Sequence, residues 1–142
     1  MRLAVVLTTA LMLTACTRDT PSDVPGDIED NQPFDAITAD EILYFSGTEP
    51  FWGGQVADGR LTWSTPEDID GTVIDVDRFA GRGGLSFSGS LEGKAFDMAV
   101  TQGECSDGMS DFAYPFTVTL QLGGETREGC AWSDARPRTG GE

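Results

Sequence analysis

Three stretches of the chain alternate apolar and polar residues with a period of two, and that alternation excludes a helical core. In 84–91, Leu85, Phe87 and Leu91 share one face while Ser86, Ser88 and Ser90 share the other. In 94–102, Phe96, Met98 and Val100 oppose Asp97, and in 115–122, Phe116, Val118, Leu120 and Leu122 oppose Thr117, Thr119 and Gln121. Successive side chains of a strand point to opposite faces, so each stretch reads as a half-buried strand. Further strands are predicted at 42–46, 51–56, 60–64, 72–78 and 127–132. Asp58-Gly59, Glu92-Gly93 and Gly123-Gly124 fall between them as hairpin signals. The fold class is therefore all-β, an antiparallel meander of about eight strands. Closing it into a barrel removes its edges, while an open sheet or a sandwich of the same strands also satisfies the pattern. A barrel this small is filled by its own side chains, which leaves no space for a large ligand.

The first sixteen residues, MRLAVVLTTALMLTAC, carry one Arg, an apolar stretch over 3–13 and small residues closing on Cys16. This is the pattern of an export signal. Its apolar part is far shorter than the roughly 20 residues a membrane-spanning helix needs. Leu13-Thr14-Ala15-Cys16 resembles the lipobox of bacterial lipoproteins. The resemblance implies a signal peptide over 1–15 and fatty acyl groups, palmitate among them, on Cys16; a plain secretory signal with an incidental cysteine is the alternative. At roughly 0.8 kcal/mol per buried methylene, two or three acyl chains anchor a protein durably. Thr17, where an Asp is the usual inner-membrane retention signal, favours the periplasmic face of the outer membrane over the inner membrane. The segment 17–41 holds eight acidic residues, one Arg and three Pro, a composition that does not offset its ordering entropy. It is expected to be a flexible acidic tether, with the β domain over 42–134 and a disordered tail over 135–142.

Nine Lys+Arg against 24 Asp+Glu give a formal charge of -15, and histidine is absent. No basic face is available for nucleic acid. Ser-His-Asp and Cys-His sites and histidine-based zinc sites are excluded as well. With Cys16 assigned to lipid, Cys105 and Cys130 remain, and both lie beyond an export signal, where oxidising conditions let them pair. A reactive thiol pair is the lesser reading, because no Cys-x-x-Cys spacing or neighbouring cation lowers a pKa at Cys105.

Several short strings stand between 46 and 132: Thr48-Glu49-Pro50-Phe51-Trp52, Gly59-Arg60-Leu61-Thr62-Trp63, Thr65-Pro66-Glu67, Cys105-Ser106-Asp107-Gly108-Met109-Ser110-Asp111, Tyr114-Pro115-Phe116 and Gly129-Cys130-Ala131. Together they resemble an uncharacterised family of bacterial envelope lipoproteins carrying EPFW near the start and CSDGMSD with a terminal GC near the end, sometimes associated with META-type domains. The resemblance implies an exported β lipoprotein and assigns no reaction. Physically, Pro50 is expected to impose an extended approach to Phe51 and Trp52, an aromatic pair suited to the barrel core. Asp107 and Asp111 flank Gly108, where short acidic side chains satisfy their own backbone as Asx turns. The functional reading is a recognition loop braced by the disulfide, presenting Ser106, Asp107, Met109 and Asp111.

Glu67, Asp68, Asp70, Asp75 and Asp77 form the densest acidic run. Calcium wants several hard oxygen ligands, but the spacing does not match the calcium loop of an EF-hand. Asp75 and Asp77 alternate with Ile74 and Val76 as on the wet side of a strand. A carboxylate pair for glycoside hydrolysis would need a substrate cleft that a filled barrel lacks. No catalytic residue, metal or cofactor is therefore assigned. The expected function is a non-enzymatic, membrane-anchored binding module with a periplasmic protein partner. A lysozyme-inhibitor-like role is a narrower version, by analogy with small disulfide-stapled barrels. A structural or stress-related accessory protein without a small-molecule site is the alternative.

Overall fold

The structure is a computed structural model and describes residues 32–141; the expected signal peptide, the expected lipidation site Cys16 and the start of the expected tether lie outside the described residues. The strands are β1 (Leu43–Gly47), β2 (Trp52–Ala57), β3 (Arg60–Thr65), β4 (Asp68–Ala80), β5 (Gly84–Leu91), β6 (Lys94–Cys105), β7 (Phe112–Leu122), β8 (Glu125–Ser133) and β9 (Thr139–Gly140). Strands β1 to β8 pair antiparallel with their sequence neighbours, and β1 pairs with β8 to close an eight-stranded barrel. The short β9 adds to β7, with Phe112 opposite Gly140 and Ala113 opposite Thr139.

All three hairpin signals sit at turns between strands. Asp58 and Gly59 have φ of 51° and 73°, and Glu92 and Gly93 have 52° and 78°. Positive φ at both central residues matches the twist of paired strands, which is why these dipeptides reverse the chain so tightly.

The alternating residues point inward as expected, and the barrel interior is a packed core. Phe45, Phe96 and Phe116 are fully buried with Leu43, Leu61, Met98, Val100, Val118 and Leu120. Trp52 and Trp63 stack at 5.5 Å, and Trp63 meets Phe96 edge-on at 5.8 Å. Gly129 makes this possible: a Cβ there would lie 3.0 Å from the Trp52 ring and collide with the Ser46 carbonyl oxygen.

The aromatic pair of EPFW divides between the two faces. Trp52 is buried, but Phe51 is 54% exposed. Adjacent residues of an extended chain face opposite ways, so only one of the two can enter the core. Nor does Pro50 impose an extended approach: Glu49 has φ of 60°, and 48–51 is the turn that joins β1 to β2.

Two further expectations are corrected at the domain ends. The tether was expected to run to residue 41, yet Phe34, Ala36 and Ile37 pack into the core, with Ile37 only 2% exposed. The Phe34 N–H donates to the Gly81 carbonyl at 2.7 Å, its ring meets Phe116 edge-on at 6.5 Å, and Arg78 Nη2 donates to the Ile37 carbonyl at 2.8 Å. An open barrel end leaves apolar side chains facing water, and these residues cover it. Averaged composition concealed an apolar plug inside an acidic stretch.

The plug is fastened to β8. Ser133 Oγ donates to Glu41 Oε2 at 2.5 Å, and the Thr38 N–H donates to Glu41 Oε1 at 2.9 Å. Ile42 and Asp134 exchange bonds, Ile42 N–H to Asp134 Oδ1 and Asp134 N–H to the Ile42 carbonyl, each 3.2 Å. Burial pushes the Glu41 carboxyl up. The Ser133 hydroxyl, the Thr38 donors and the Arg136 charge outweigh it and hold the group below its usual range.

The C-terminal stretch 135–142 was expected to be disordered; 138–140 instead lie against the barrel wall. Arg136 N–H donates to Ser133 Oγ at 3.0 Å, Ser133 N–H donates to the Arg136 carbonyl at 3.0 Å, and β9 follows. The Arg138 guanidinium lies over aromatic rings, a contact that composition does not reveal.

Candidate functional site

The connection from β6 to β7 is built around a bulge. Gln102 pairs with Phe116 but Cys105 pairs with Tyr114, so β6 carries one extra residue there. A bulge bends its strand and re-aims the side chains beyond it. The end of β6 thereby reaches across β7 to β8, where Cys105 and Cys130 form the expected disulfide, with S–S of 2.00 Å and Cα–Cα of 5.6 Å. Cys130 is only 1% exposed, although its neighbour Ala131 is the one that faces the core.

The loop 106–111 is held chiefly by Asp107. Its carboxylate accepts from Met109 N–H at 2.9 Å, Ser110 N–H at 2.8 Å, Ser110 Oγ at 2.7 Å and Tyr114 Oη at 2.9 Å. Ser106 Oγ accepts from the Gly108 N–H at 3.2 Å. The Ser110 hydroxyl, then the Ser110 and Met109 amides, hold the Asp107 carboxyl far below its usual range against a small opposing desolvation. Asp107 and Ser106 thus shape the loop as Asx and Ser turns do. Met109, 68% exposed, and Asp111 are displayed on its surface. The four residues singled out together in the sequence therefore divide into two that fix the loop and two that present it.

Beside the loop runs a surface groove of about 350 Å³. Ser106 and Asp107 form one side, Thr117, Thr119 and Glu128 the wall, and the two half-cystines contribute to its lining. Hydroxyls and two carboxylates share its lining with Val118 and the disulfide, which makes it a half-polar recess outside the filled core.

Sequence reasoning missed the aromatic wall next to this groove. Tyr44 and Trp132 are register partners on β1 and β8 and stack at 5.6 Å with 20° between their planes. Trp132 meets Tyr114 at 5.4 Å, and Tyr114 meets Phe112 at 6.2 Å. The Arg138 guanidinium carbon lies 4.0 Å from the Phe112 ring centre and 5.0 Å from that of Trp132. A signal was present: Tyr44 lies between inward Leu43 and Phe45, so a large ring there had to face outward. Its alignment with Trp132 depends on barrel closure, which no local pattern encodes. The Tyr114 hydroxyl on Asp107 joins loop and wall into one face.

The acidic run on β4 forms no comparable assembly. Glu67, Asp68, Asp70, Asp75 and Asp77 are all exposed. Asp68 accepts from Gly71 N–H at 3.1 Å and Thr72 Oγ1 at 3.3 Å, and so braces the irregularity at the start of β4 where its register against β3 shifts. Among the described residues, no group of three or more His, Cys, Asp or Glu side chains is arranged to hold a metal ion. No protein-family model, curated protein or solved structure matches the chain.

Proposed function

We propose that this chain is a lipid-anchored protein of the bacterial cell envelope whose barrel binds a periplasmic protein partner, without catalysing a reaction, through the face that joins the 106–111 loop to the aromatic wall. The observation that carries the reading is the placement of order and chemistry. The interior is filled by Phe45, Phe96 and Phe116, while the half-buried Tyr44, Phe112 and Trp132, the buried Tyr114 that bonds Asp107, and the loop locked by Asp107 gather beside it. Half-buried rings of Tyr44, Phe112 and Trp132, braced by the buried Tyr114 and set beside a pre-ordered loop that displays Met109, suit protein recognition, because little conformational freedom is lost on contact. The lipobox-like Leu13-Thr14-Ala15-Cys16 supports the anchor, with the acidic segment after it as spacer. The formal charge of -15 favours a basic partner. A basic muramidase is the narrowest version of this reading.

The test has two arms. Palmitate labelling in cells should mark the wild type and not Cys16→Ser; equal labelling of both rejects the anchor. Crosslinking in intact cells should capture a partner with the wild type and lose it with Met109→Glu combined with Asp111→Lys, at an unchanged melting temperature. A partner retained by the double variant rejects the loop. No partner for either protein favours the structural accessory role. Purified basic lysozyme at low salt serves as the defined probe for the inhibitor version.

A further inference from the structure

We infer that the aromatic face of Phe112 and Trp132 is a receptor for an arginine side chain carried on an extended segment of a partner protein, and that residues 138–140 of the chain are a displaceable stand-in for that segment. This site does not depend on the lipid anchor, so failure of the anchor leaves it standing, and the reverse also holds.

The occupant's chemistry is displayed by the chain itself. A guanidinium over the faces of two rings, 4.0 Å and 5.0 Å from their centres, is a cation–π arrangement. The backbone carrying it pairs with the first two residues of β7, Phe112 and Ala113. Those residues lie beyond the last β6–β7 pair, Cys105 with Tyr114, and before the first β7–β8 pair, Phe116 with Ala131. They form a strand edge covered by β9 alone. Added-strand recognition uses such an edge, with main-chain bonds for affinity and a side-chain pocket for selectivity.

The stand-in is weakly held for a strand. It spans two residues, both exposed. Gly140 has φ of 88°, and a Cβ there would collide with the Asp111 carbonyl oxygen, so its pairing depends on glycine. A recess of about 330 Å³ beside β9, bordered by Glu104, Tyr114, Pro115, Pro137 and Thr139, gives space for a longer segment. The formal charge of -15 draws cationic segments toward the chain as a whole.

The experiment uses the full chain and two synthetic peptides. One has the sequence of residues 135–141, Ala-Arg-Pro-Arg-Thr-Gly-Gly. The other replaces its second Arg by citrulline, which keeps the shape and removes the charge. Calorimetric titration is run on the wild type, on Arg138→Ala, and on Arg138→Ala combined with Gly140→Val. Emptying the site removes the competition of the tethered segment, so the double variant should bind the arginine peptide at least about tenfold more tightly than the wild type. Arg138→Ala alone, which leaves the backbone pairing in place, should fall between them. Citrulline should cost at least about fivefold, the loss of a partly desolvated cation–π contact, and Phe112→Leu on the Arg138→Ala background should abolish binding with little change in melting temperature. Equal affinity of wild type and variants, equal affinity for both peptides, or no binding overturns the inference. A wild type that sediments as a dimer and an Arg138→Ala that sediments as a monomer also overturn it, by assigning the site to a second copy's own terminus.

Discussion

Removing the bridge between Cys105 and Cys130 separates its two effects. The closed loop spans 25 residues, for which the chain-entropy relation gives about 12 cal/mol/K, or about 3.5 kcal/mol at room temperature. A folded unit of about 110 residues unfolds with about 0.23 kcal/mol/K of entropy, so this loss corresponds to a melting temperature about 15 °C lower. The bridge crosses β7 on the outside, while the register of β6, β7 and β8 is fixed by pairs such as Val100 with Val118 and Leu120 with Arg127. The barrel should therefore survive at 25 °C with Trp52 and Trp63 still stacked, and the loop should loosen first. Scanning calorimetry of Cys105→Ala/Cys130→Ala against the oxidised wild type reads the first effect. Amide exchange at Met109 and Ser110 reads the second. A drop below about 4 °C, or loop protection equal to the wild type, would refute the reasoning.

Ile37→Ala removes a buried side chain from the plug and should cost about 2 to 4 kcal/mol in denaturant unfolding; a change under about 0.5 kcal/mol would mean the plug contributes nothing to the core. Gly129→Val drives a side chain toward Trp52 and the Ser46 carbonyl, and should destabilise by about 1 to 3 kcal/mol or more with altered tryptophan emission; a wild-type melt contradicts the packing. Asp107 and Glu41 both have folded-state pKa values below their ordinary ones. Their stabilisation is complete above the unfolded carboxylate range near pH 4 and is lost as pH falls through the lower folded values. Exchange protection of the Ser110 amide should be flat from neutral pH to about 5 and decline below about 4. In Asp107→Asn that acid step should vanish, and its persistence would assign it elsewhere.

The barrel was legible wherever the pattern is local. Leu85, Phe87, Phe96, Met98, Phe116 and Leu120 announce their face through alternation, and Asp58-Gly59 and Glu92-Gly93 announce their turns through the φ values they tolerate. Contacts far apart in the chain were hidden. Phe34 and Ile37 gain partners only once a barrel end exists to be covered, and Arg138 gains its rings only once β7 and β8 lie side by side. The candidate site divides the same way. The Cys105–Cys130 pairing and the Asp107 turn could be read from residue types, whereas Tyr44 against Trp132 required the β1–β8 closure.

The N-terminal plug also sets the mechanical route through the molecule. Tension applied from the amino end at residue 34 is borne by the Phe34–Gly81 backbone bond and the Arg78 grip on Ile37, and then by the Glu41–Ser133 and Ile42–Asp134 fastenings on β8. Those few links are loaded one after another, while the β1–β8 seam behind them shares stress across four residue pairs. A pull from the amino end should uncork the barrel before it tears it, converting traction into exposure of Phe116 and the floor of the core while the staves still hold.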